Sequence, residues 1–518
     1  MSICIVDFGS QYTKLIARRI RELQVYCEII PCYQSFDEDY FRKKDIQGII
    51  LSGGPQSVYS KQAPSFDTRW ISHDIPILGI CYGMQMLVQH YGGLVEPSDI
   101  REYGKSHIFC TDHPLFDISS VSQENMDPIS NEHQVWMSHG DHISVIPEGW
   151  SVIASSADGI IAAVEGPNII ALQFHPEVTH SKYGVLYLQN FLFQTCQVTP
   201  NWFMDDIVTR KIEEIRNTVG TKHVLCAMSG GVDSSVVATL IHRAIGKQLH
   251  CVFVDNGLLR SHEALEIKTE FSDMNLSILD ARERFLTELS GIEDPEQKRK
   301  IIGRVFIEVF TDFAKNHLQD FEFEFLAQGT LYPDVIESVS FSGPSVTIKS
   351  HHNVGGLPEH VPFVLLEPLR NFFKDEVRQM GEYLGMSKKR IGRQPFPGPG
   401  LAVRILGEVT AKRIQILQQA DDIFGEEILN AGIYYDIWQS FAVLLPIKTV
   451  GVMGDQRTYE WVIALRAVHS IDGMTADFVR LPWDVLERAS TRIINEIRGI
   501  NRVVYDVSHK PPATIEWE

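Results

Sequence analysis

Two stretches of this sequence carry residue types at spacings that suit chemistry. In the first, Cys81 lies between Gly79 and Gly83 in Pro76-Ile-Leu-Gly-Ile-Cys-Tyr-Gly-Met-Gln85. The G-x-C-x-G spacing mimics the G-x-S-x-G turn that holds a nucleophile at a strand end, with small neighbours that avoid clashes. A helix over Met84–Tyr91 would aim its N-terminus at the sulfur and lower the thiol pKa. A buried structural cysteine is the blander reading. A thiol nucleophile needs a base and a group that orients the base. Gln173-Phe-His-Pro-Glu177 supplies both. Pro176 holds His175 extended, and residues two apart in extended chain face the same way, so His175 and Glu177 share one side. Oxyanion donors are available in the N–H groups of Gly53, Gly54 and Tyr82. The rival segment Glu132–His142 contains His133, His139 and His142. Without cysteine or HExxH spacing it reads as a polar loop near the site rather than a metal centre.

The second stretch is Ser229-Gly230-Gly231-Val232-Asp233-Ser234-Ser235. Its glycines permit a sharp turn and a close approach to a ligand. Hydroxyls and free N–H groups at the start of a helix make an anion site. Asp233 adds a carboxylate suited to Mg²⁺ bridging to phosphate. No Gly-Lys-Ser/Thr follows, so this is not a Walker A loop and γ-phosphoryl transfer is not the obvious chemistry.

These groups need elements to hold them. Ile3–Val6, Gly48–Leu51, Ile77–Ile80 and Ile169–Phe174 read as buried strands, and Gln11–Leu23 as a helix. That makes residues 1–200 an α/β domain with a mostly parallel sheet. A second α/β pattern starts near Val224, with strands at Leu249–Val254 and Glu324–Ala327. It places the Ser229 loop after the first strand, where open sheets bind ligands. After residues 201–393 the texture changes at Gln394-Pro-Phe-Pro-Gly-Pro-Gly400, a stiff connection. Residues 394–518 read as a small α+β domain.

Bulk properties narrow the function. The 518 residues carry a net charge of −19, which argues against broad binding to nucleic acid or an anionic membrane. Eight scattered cysteines without CxxC fit a reducing, cytoplasmic location. The N-terminus has no basic region or cleavage site, and no apolar stretch suits a membrane span.

At this point the residues resemble known families. Gly79-Ile-Cys-Tyr-Gly-Met-Gln85 with Gln173-Phe-His-Pro-Glu177 is similar to class I glutamine amidotransferases, and Ser229–Ser235 resembles the pyrophosphate loop of ATP pyrophosphatases. The ending Ser508-His-Lys-Pro-Pro-Ala-Thr-Ile-Glu-Trp-Glu518, with Val252–Arg260, Gly329–Ser338, Lys349–Pro358 and Phe396–Arg404, resembles the glutamine-hydrolysing GMP synthetase family. Gln456 stands where that family leads one to expect glycine, which bears only on local loop geometry.

The resemblance implies that XMP, ATP, glutamine and water give GMP, AMP, pyrophosphate and glutamate through an adenyl-XMP intermediate. It implies Cys81 as nucleophile, His175 as proton carrier and Glu177 as its orienter. The Ser229–Ser235 loop would hold pyrophosphate, with Mg²⁺ on Asp233. Asp255 would approach the nucleotide or a metal, or stand solvated at its strand end. Lys510 and Glu516 would meet XMP, Lys349 would reach a phosphate or lie solvated, and residues 394–518 would also form a homodimer. Phe441–Pro446 fits such an interface or a core equally. Two alternatives remain: a glutamine-dependent ATP-pyrophosphatase amidotransferase with a different acceptor, and a catalytically silent nucleotide-binding regulator.

Overall fold

The computed structural model describes the chain apart from residues 62, 65, 120–129, 318–322, 339–362, 454–455, 471–472 and 474. Lys349 lies outside the described residues. The chain divides into two units, Met1–Ile207 and the described part of 208–518.

In the first unit the elements run β1 (Ser2–Asp7), α1 (Thr13–Glu22), β2 (Cys27–Pro31), α2 (Glu38–Lys44), β3 (Ile46–Leu51), β4 (Ile77–Ile80), α3 (Tyr82–His90), β5 (Leu94–Cys110), β6 (Glu132–Val145), β7 (Ser151–Ser156), β8 (Ile161–Gly166), β9 (Ile169–Leu172) and α4 (Gly184–Asn190). They form one sheet in the order β2-β1-β3-β4-β9-β8-β7-β5-β6. Its first five strands are parallel, and the rest continue antiparallel. The inner parallel strands β1, β4 and β9 are short, mainly aliphatic runs buried at every position, and β3 is nearly so, while the edge strand β2 is only partly buried, as expected where helices cover both faces of the inner strands. Leu51 pairs with Gly79 and Ile80 with Leu172. The chain after β3, β4 and β9 therefore leaves the sheet at one end, bringing Gly53, Cys81 and His175 to the same edge.

One expectation fails here. Residues 132–142 are not a polar loop but most of β6. His133, Val135, Met137 and His139 alternate inward, and Gln134, Trp136 and Ser138 are less buried. The period of two was present; two inward histidines hid it.

The second unit begins within α5 (Met204–Val219) and continues through β10 (His223–Met228), α6 (Val232–Ile245), β11 (Leu249–Asp255), α7 (Glu263–Glu270), β12 (Asn275–Asp280), α8 (Arg282–Glu288), α9 (Pro295–His317), β13 (Phe323–Ala327), α10 (Tyr332–Ser338), β14 (Val364–Leu366), α11 (Lys374–Tyr383) and α12 (Lys388–Ile391). The sheet is wholly parallel, in the order β12-β11-β10-β13-β14. The strand order reverses beside β10, so the loop after it lies at the crevice where such sheets bind ligands.

Residues beyond 410 add α13 (Ala411–Asn430), β15 (Gln439–Met453), β16 (Gln456–His469), β17 (Asp477–Phe478), α14 (Trp483–Glu496) and β18 (Ile500–Tyr505). β15, β16 and β17 are antiparallel, and β18 runs parallel to β16. One apolar cluster runs from Leu258, Phe285 and Val305 through Leu401, Leu417 and Phe424 to Ile463 and Ile493. Phe441 to Leu444 are buried, so that part of the segment serves the core, while Pro446 at its end is exposed. Gln456 opens β16 opposite Met453.

Candidate active sites

The first candidate site is built on the turn between β4 and α3. Cys81 has φ 53° and ψ −104°, an unusual left-handed conformation for a side chain with a Cβ, the kind of strain that marks functional turns. α3 starts at Tyr82, two residues earlier than expected, and Cys81 is its N-cap. The Tyr82 N–H is thus one of the helix donors with no intrahelical acceptor. The close packing explains the glycines. A Cβ on Gly83 would lie 2.3 Å from the Leu51 carbonyl oxygen, and one on Gly79 2.9 Å from Met84 N.

His175 Nδ1 lies 2.7 Å from Glu177 Oε1, and both side chains are almost wholly buried. Burial alone would push the imidazole down. The Glu177 carboxylate and the Cys81 sulfur beside it instead hold it well above the ordinary histidine value. The backbone of His175 is fixed by β6: its N–H donates to Trp136 O at 3.0 Å, and the Ser181 hydroxyl donates to its carbonyl at 2.6 Å. Tyr12 presents its ring edge-on to the imidazole at 4.9 Å. Gly53 borders the same ring, since a Cβ there would sit 3.1 Å from His175 Cε1, and Gly54 faces the Tyr82 ring. The structure therefore brings Cys81, His175, Glu177, Gly53, Gly54 and Tyr82 together.

Sequence reasoning missed two amides at this site. Gln173 Nε2 donates to Cys81 Sγ at 3.8 Å, and Gln85 Nε2 donates to Gln173 Oε1 at 3.2 Å and to Asp141 O at 3.3 Å. Both were findable: Gln85 is four residues past Cys81 on a helix, and Gln173 is two before His175 on extended chain. His133 bonds Tyr187 Oη at 2.6 Å and Ser130 O at 3.0 Å, while His139 lies 3.0 Å from Glu102. No group of three or more His, Cys, Asp or Glu suited to a metal occurs among the described residues.

The phosphate-loop candidate joins β10 to α6. Ser229 and Ser234 hydroxyls lie 3.1 Å apart, and Gly231 N donates to Ser229 Oγ at 3.4 Å. Gly231 is the helix N-cap, with Val232, Asp233 and Ser234 as the first turn and Ser235 buried behind it. Gly230 has φ 78°, and a Cβ there would meet Glu263 Oε1 at 2.8 Å. Its carbonyl accepts from Arg390 Nη1 at 3.1 Å and Arg393 Nη1 at 3.0 Å. Arg393 also pairs with Glu263 at 2.8 Å, and Arg390 with Glu270 at 2.6 Å. Drawing this carbonyl backward turns the following N–H the other way across the planar peptide, toward the loop's interior.

Lys374, the first residue of α11, donates to both Asp233 oxygens at 2.6 Å. It lies 141 residues away in sequence and carried no local signal. Asp255 ends β11, accepts from Gly257 N at 3.0 Å and lies 3.8 Å from Arg282. In the tail, Lys510 Nζ donates to Gly473 O at 2.7 Å. Glu516 is gripped by Arg404 at 2.9 and 3.1 Å and by Gln439 at 2.6 Å.

The fold and the first site define a class I glutamine amidotransferase carried on one chain with a parallel nucleotide-type sheet. Three family matches follow the same division: glutamine amidotransferase class-I over residues 4–195, tRNA methyl transferase HUP domain over 222–275, and GMP synthase C terminal domain over 426–517. Over its whole length the chain is 54% identical to "GMP synthase [glutamine-hydrolyzing]" of Brachyspira hyodysenteriae, spanning 99% of that protein. It is 52% identical to the protein of that name from Fusobacterium nucleatum (99% of it covered) and 53% identical to that of Chlorobium phaeovibrioides (100% covered). The chain belongs to the glutamine-hydrolysing GMP synthase family.

Proposed function

We propose that this chain converts XMP to GMP, using ammonia from glutamine and energy from ATP. The observation that carries this reading is the presence, on one chain of that family, of a buried Cys81–His175–Glu177 set and a phosphate loop without a Walker lysine. In the first site the Cys81 thiolate attacks the glutamine side-chain amide. The Gly53, Gly54 and Tyr82 N–H groups receive the oxyanion, and His175 delivers a proton to the departing ammonia. Glu177 fixes the ring and stabilises the imidazolium. Water, activated by His175, then hydrolyses the glutamyl thioester to glutamate.

In the second site the O2 of XMP attacks the α-phosphorus of ATP, and pyrophosphate leaves into the Ser229–Ser235 loop. Cleavage between α- and β-phosphates explains why no lysine is needed on a γ-phosphate. Ammonia then displaces AMP at C2. Asp233, one carboxylate beside the Ser229 and Ser234 hydroxyls, is the residue that would hold Mg²⁺ brought in with ATP. Bound there, the ion would neutralise charge on the departing pyrophosphate. Lys374 pairs with Asp233, and in this reading it passes from the carboxylate to phosphate when ATP binds. Asp255, at the neighbouring strand end, faces the same crevice edge. Lys510 and Glu516 belong to the XMP site in this reading.

Incubation with XMP, ATP and an ammonium salt, without glutamine, tests the proposal. AMP and GMP should appear in equal amounts; XMP-independent AMP, or none, would sink it.

A homodimer through residues 394–518 and a cytoplasmic location complete the reading. The hairpin of β15 and β16 exposes Ile447, Val450, Val452 and Tyr459, an apolar set suited to a second copy. Val452→Asp should shift sedimentation from dimer to monomer; an unchanged dimer would move the interface elsewhere. All eight cysteines are free and buried, which suits a reducing compartment. No described helix is long and apolar enough to cross a membrane.

A further inference from the structure

Three cations with no exposed surface, on three separate elements, converge on the tail. Arg466 of β16 donates to the carbonyls of Thr514 and Ile515 at 2.8 Å, to Ser508 O at 3.2 Å and to Asp506 at 2.7 Å. Arg404, stacked 4.1 Å from the Phe441 ring, holds Glu516 through two bonds. The third is Lys298, in the first turn of α9, and nothing in the reaction above uses it. Its ammonium is fully buried. It donates to Ala402 O at 3.2 Å, Ile405 O at 2.7 Å and Glu518 Oε2 at 2.6 Å.

Those three acceptors match the three donors of an ammonium. Two are carbonyls that carry no charge, so Glu518 is the anion bonded to a cation that water does not reach. Such a pair is costly to break from one side, because the survivor stays buried and uncompensated. The tail is therefore held by charge at both ends of its last five residues. Arg466 fixes Thr514 and Ile515, Arg404 fixes Glu516, and Lys298 fixes Glu518. Between them Ile515 packs against Phe441, Val443 and Ala464. Lys298 also connects the tail to α9, the helix that crosses from β12 to β13 in the nucleotide-type sheet.

We infer that the Lys298–Glu518 pair is a latch that positions the tail, so that Glu516 and Lys510 are presented to XMP in a fixed geometry. Lys298 and Glu518 are positioning residues for substrate and touch no reacting atom. The part concerning XMP rests on the function proposed above; the latch itself does not.

The test uses full-length Glu518→Gln and Glu518→Ala chains, with two measurements. Hydrogen exchange reads the tail directly: amides over residues 506–518 should exchange at least about tenfold faster than in the parent chain, with β10 and β11 unchanged. Steady-state ammonia-dependent synthesis reads the consequence. KM for XMP should rise at least about tenfold, while KM for ATP stays within about twofold and glutaminase activity is unchanged. Glu518→Asp, which keeps the charge, should recover most of both. Unchanged tail exchange overturns the latch whatever the substrate proves to be. Faster exchange with an unaltered KM for XMP overturns its positioning role. Equal losses for XMP and ATP with a lowered melting temperature show a merely structural contact and also overturn it. A parent chain that forms no AMP with XMP, while the variants loosen the tail, overturns the proposed substrate and leaves the latch standing.

Discussion

His175 gains its charge from its neighbours. A buried imidazole beside apolar side chains would be neutral; beside Glu177 and Cys81 it is held well above its ordinary value. The folded value lies above the unfolded value of about 6.5, so the pairing contributes stability that is complete below about pH 6.5 and is lost as pH rises through the folded value. Glu177→Gln removes the carboxylate and lowers the folded value. We expect the melting-temperature difference between parent and Glu177→Gln to be largest at or below about pH 6.5 and to shrink toward alkaline pH. Glutaminase kcat/KM should fall about 10²-fold or more at neutral pH, the usual worth of a positioned acid–base group. A difference in melting temperature that stays constant across pH would remove Glu177 as the source of the shift. At this scale the sequence was most legible where function is local. That Cys81, His175 and Glu177 lie together could be read from spacing alone. Gln85 and Gln173 obey the same helix and strand periodicities. Lys374 could not be found that way, because only the fold brings α11 to the loop after β10.

At the scale of elements, two turns hold the residues of the proposed chemistry, and each is held from behind. The β4–α3 turn depends on close approach to β3. A Cβ on Gly83 would press to 2.3 Å against Leu51 O, and backbone cannot yield as a flexible side chain can. Gly83→Ala should destabilise the amidotransferase unit by about 1–3 kcal/mol, the range for overpacking, and abolish glutaminase by displacing Cys81. Calorimetry and thioester trapping check the two halves; a normal melting temperature with normal activity would show that the helix can shift at no cost. The β10–α6 turn is held by Arg390 and Arg393 on one carbonyl. A hydrogen bond to a charged group is worth about 1.5–3 kcal/mol, but Arg390 remains when Arg393 is removed. Arg393→Met should therefore raise KM for ATP toward the lower end, about tenfold, and leave glutaminase intact. An unchanged KM would show that the loop's shape does not depend on this carbonyl. The glycines of both turns announced themselves in the sequence. Their supports did not: Arg393 stands 163 residues from Gly230, and β6, which anchors His175, hid its alternation behind inward histidines.

For the whole molecule, the question is whether two chemistries on one chain are separable. Strand runs and motif order were enough to read two α/β sheets and a mixed ending. The antiparallel half of the first sheet was not legible, because its strands mix inward polar and outward apolar residues. Nor was the continuity of the apolar cluster from Leu258 to Ile493, which comes from contacts between residues far apart in sequence. The separation of functions can be tested by supplying ammonia from outside. Cys81→Ala removes the nucleophile of the proposed glutaminase and leaves the residues of the loop at Ser229 unchanged. It should abolish glutamine-dependent GMP formation and leave ammonia-dependent formation within about twofold of the parent. Asp233→Asn keeps the shape of the loop while removing the charge that would meet Mg²⁺ and now holds Lys374. It should depress glutamine- and ammonia-dependent synthesis equally, by about 10²-fold if the ion's position depends on that carboxylate. The pair of variants decides more than either alone. Loss of both activities in Cys81→Ala would mean that the thiol also supports the synthetase step. A normal rate in Asp233→Asn would mean that the metal is held by phosphate and water without the protein's carboxylate, and that Lys374 needs no partner before ATP arrives.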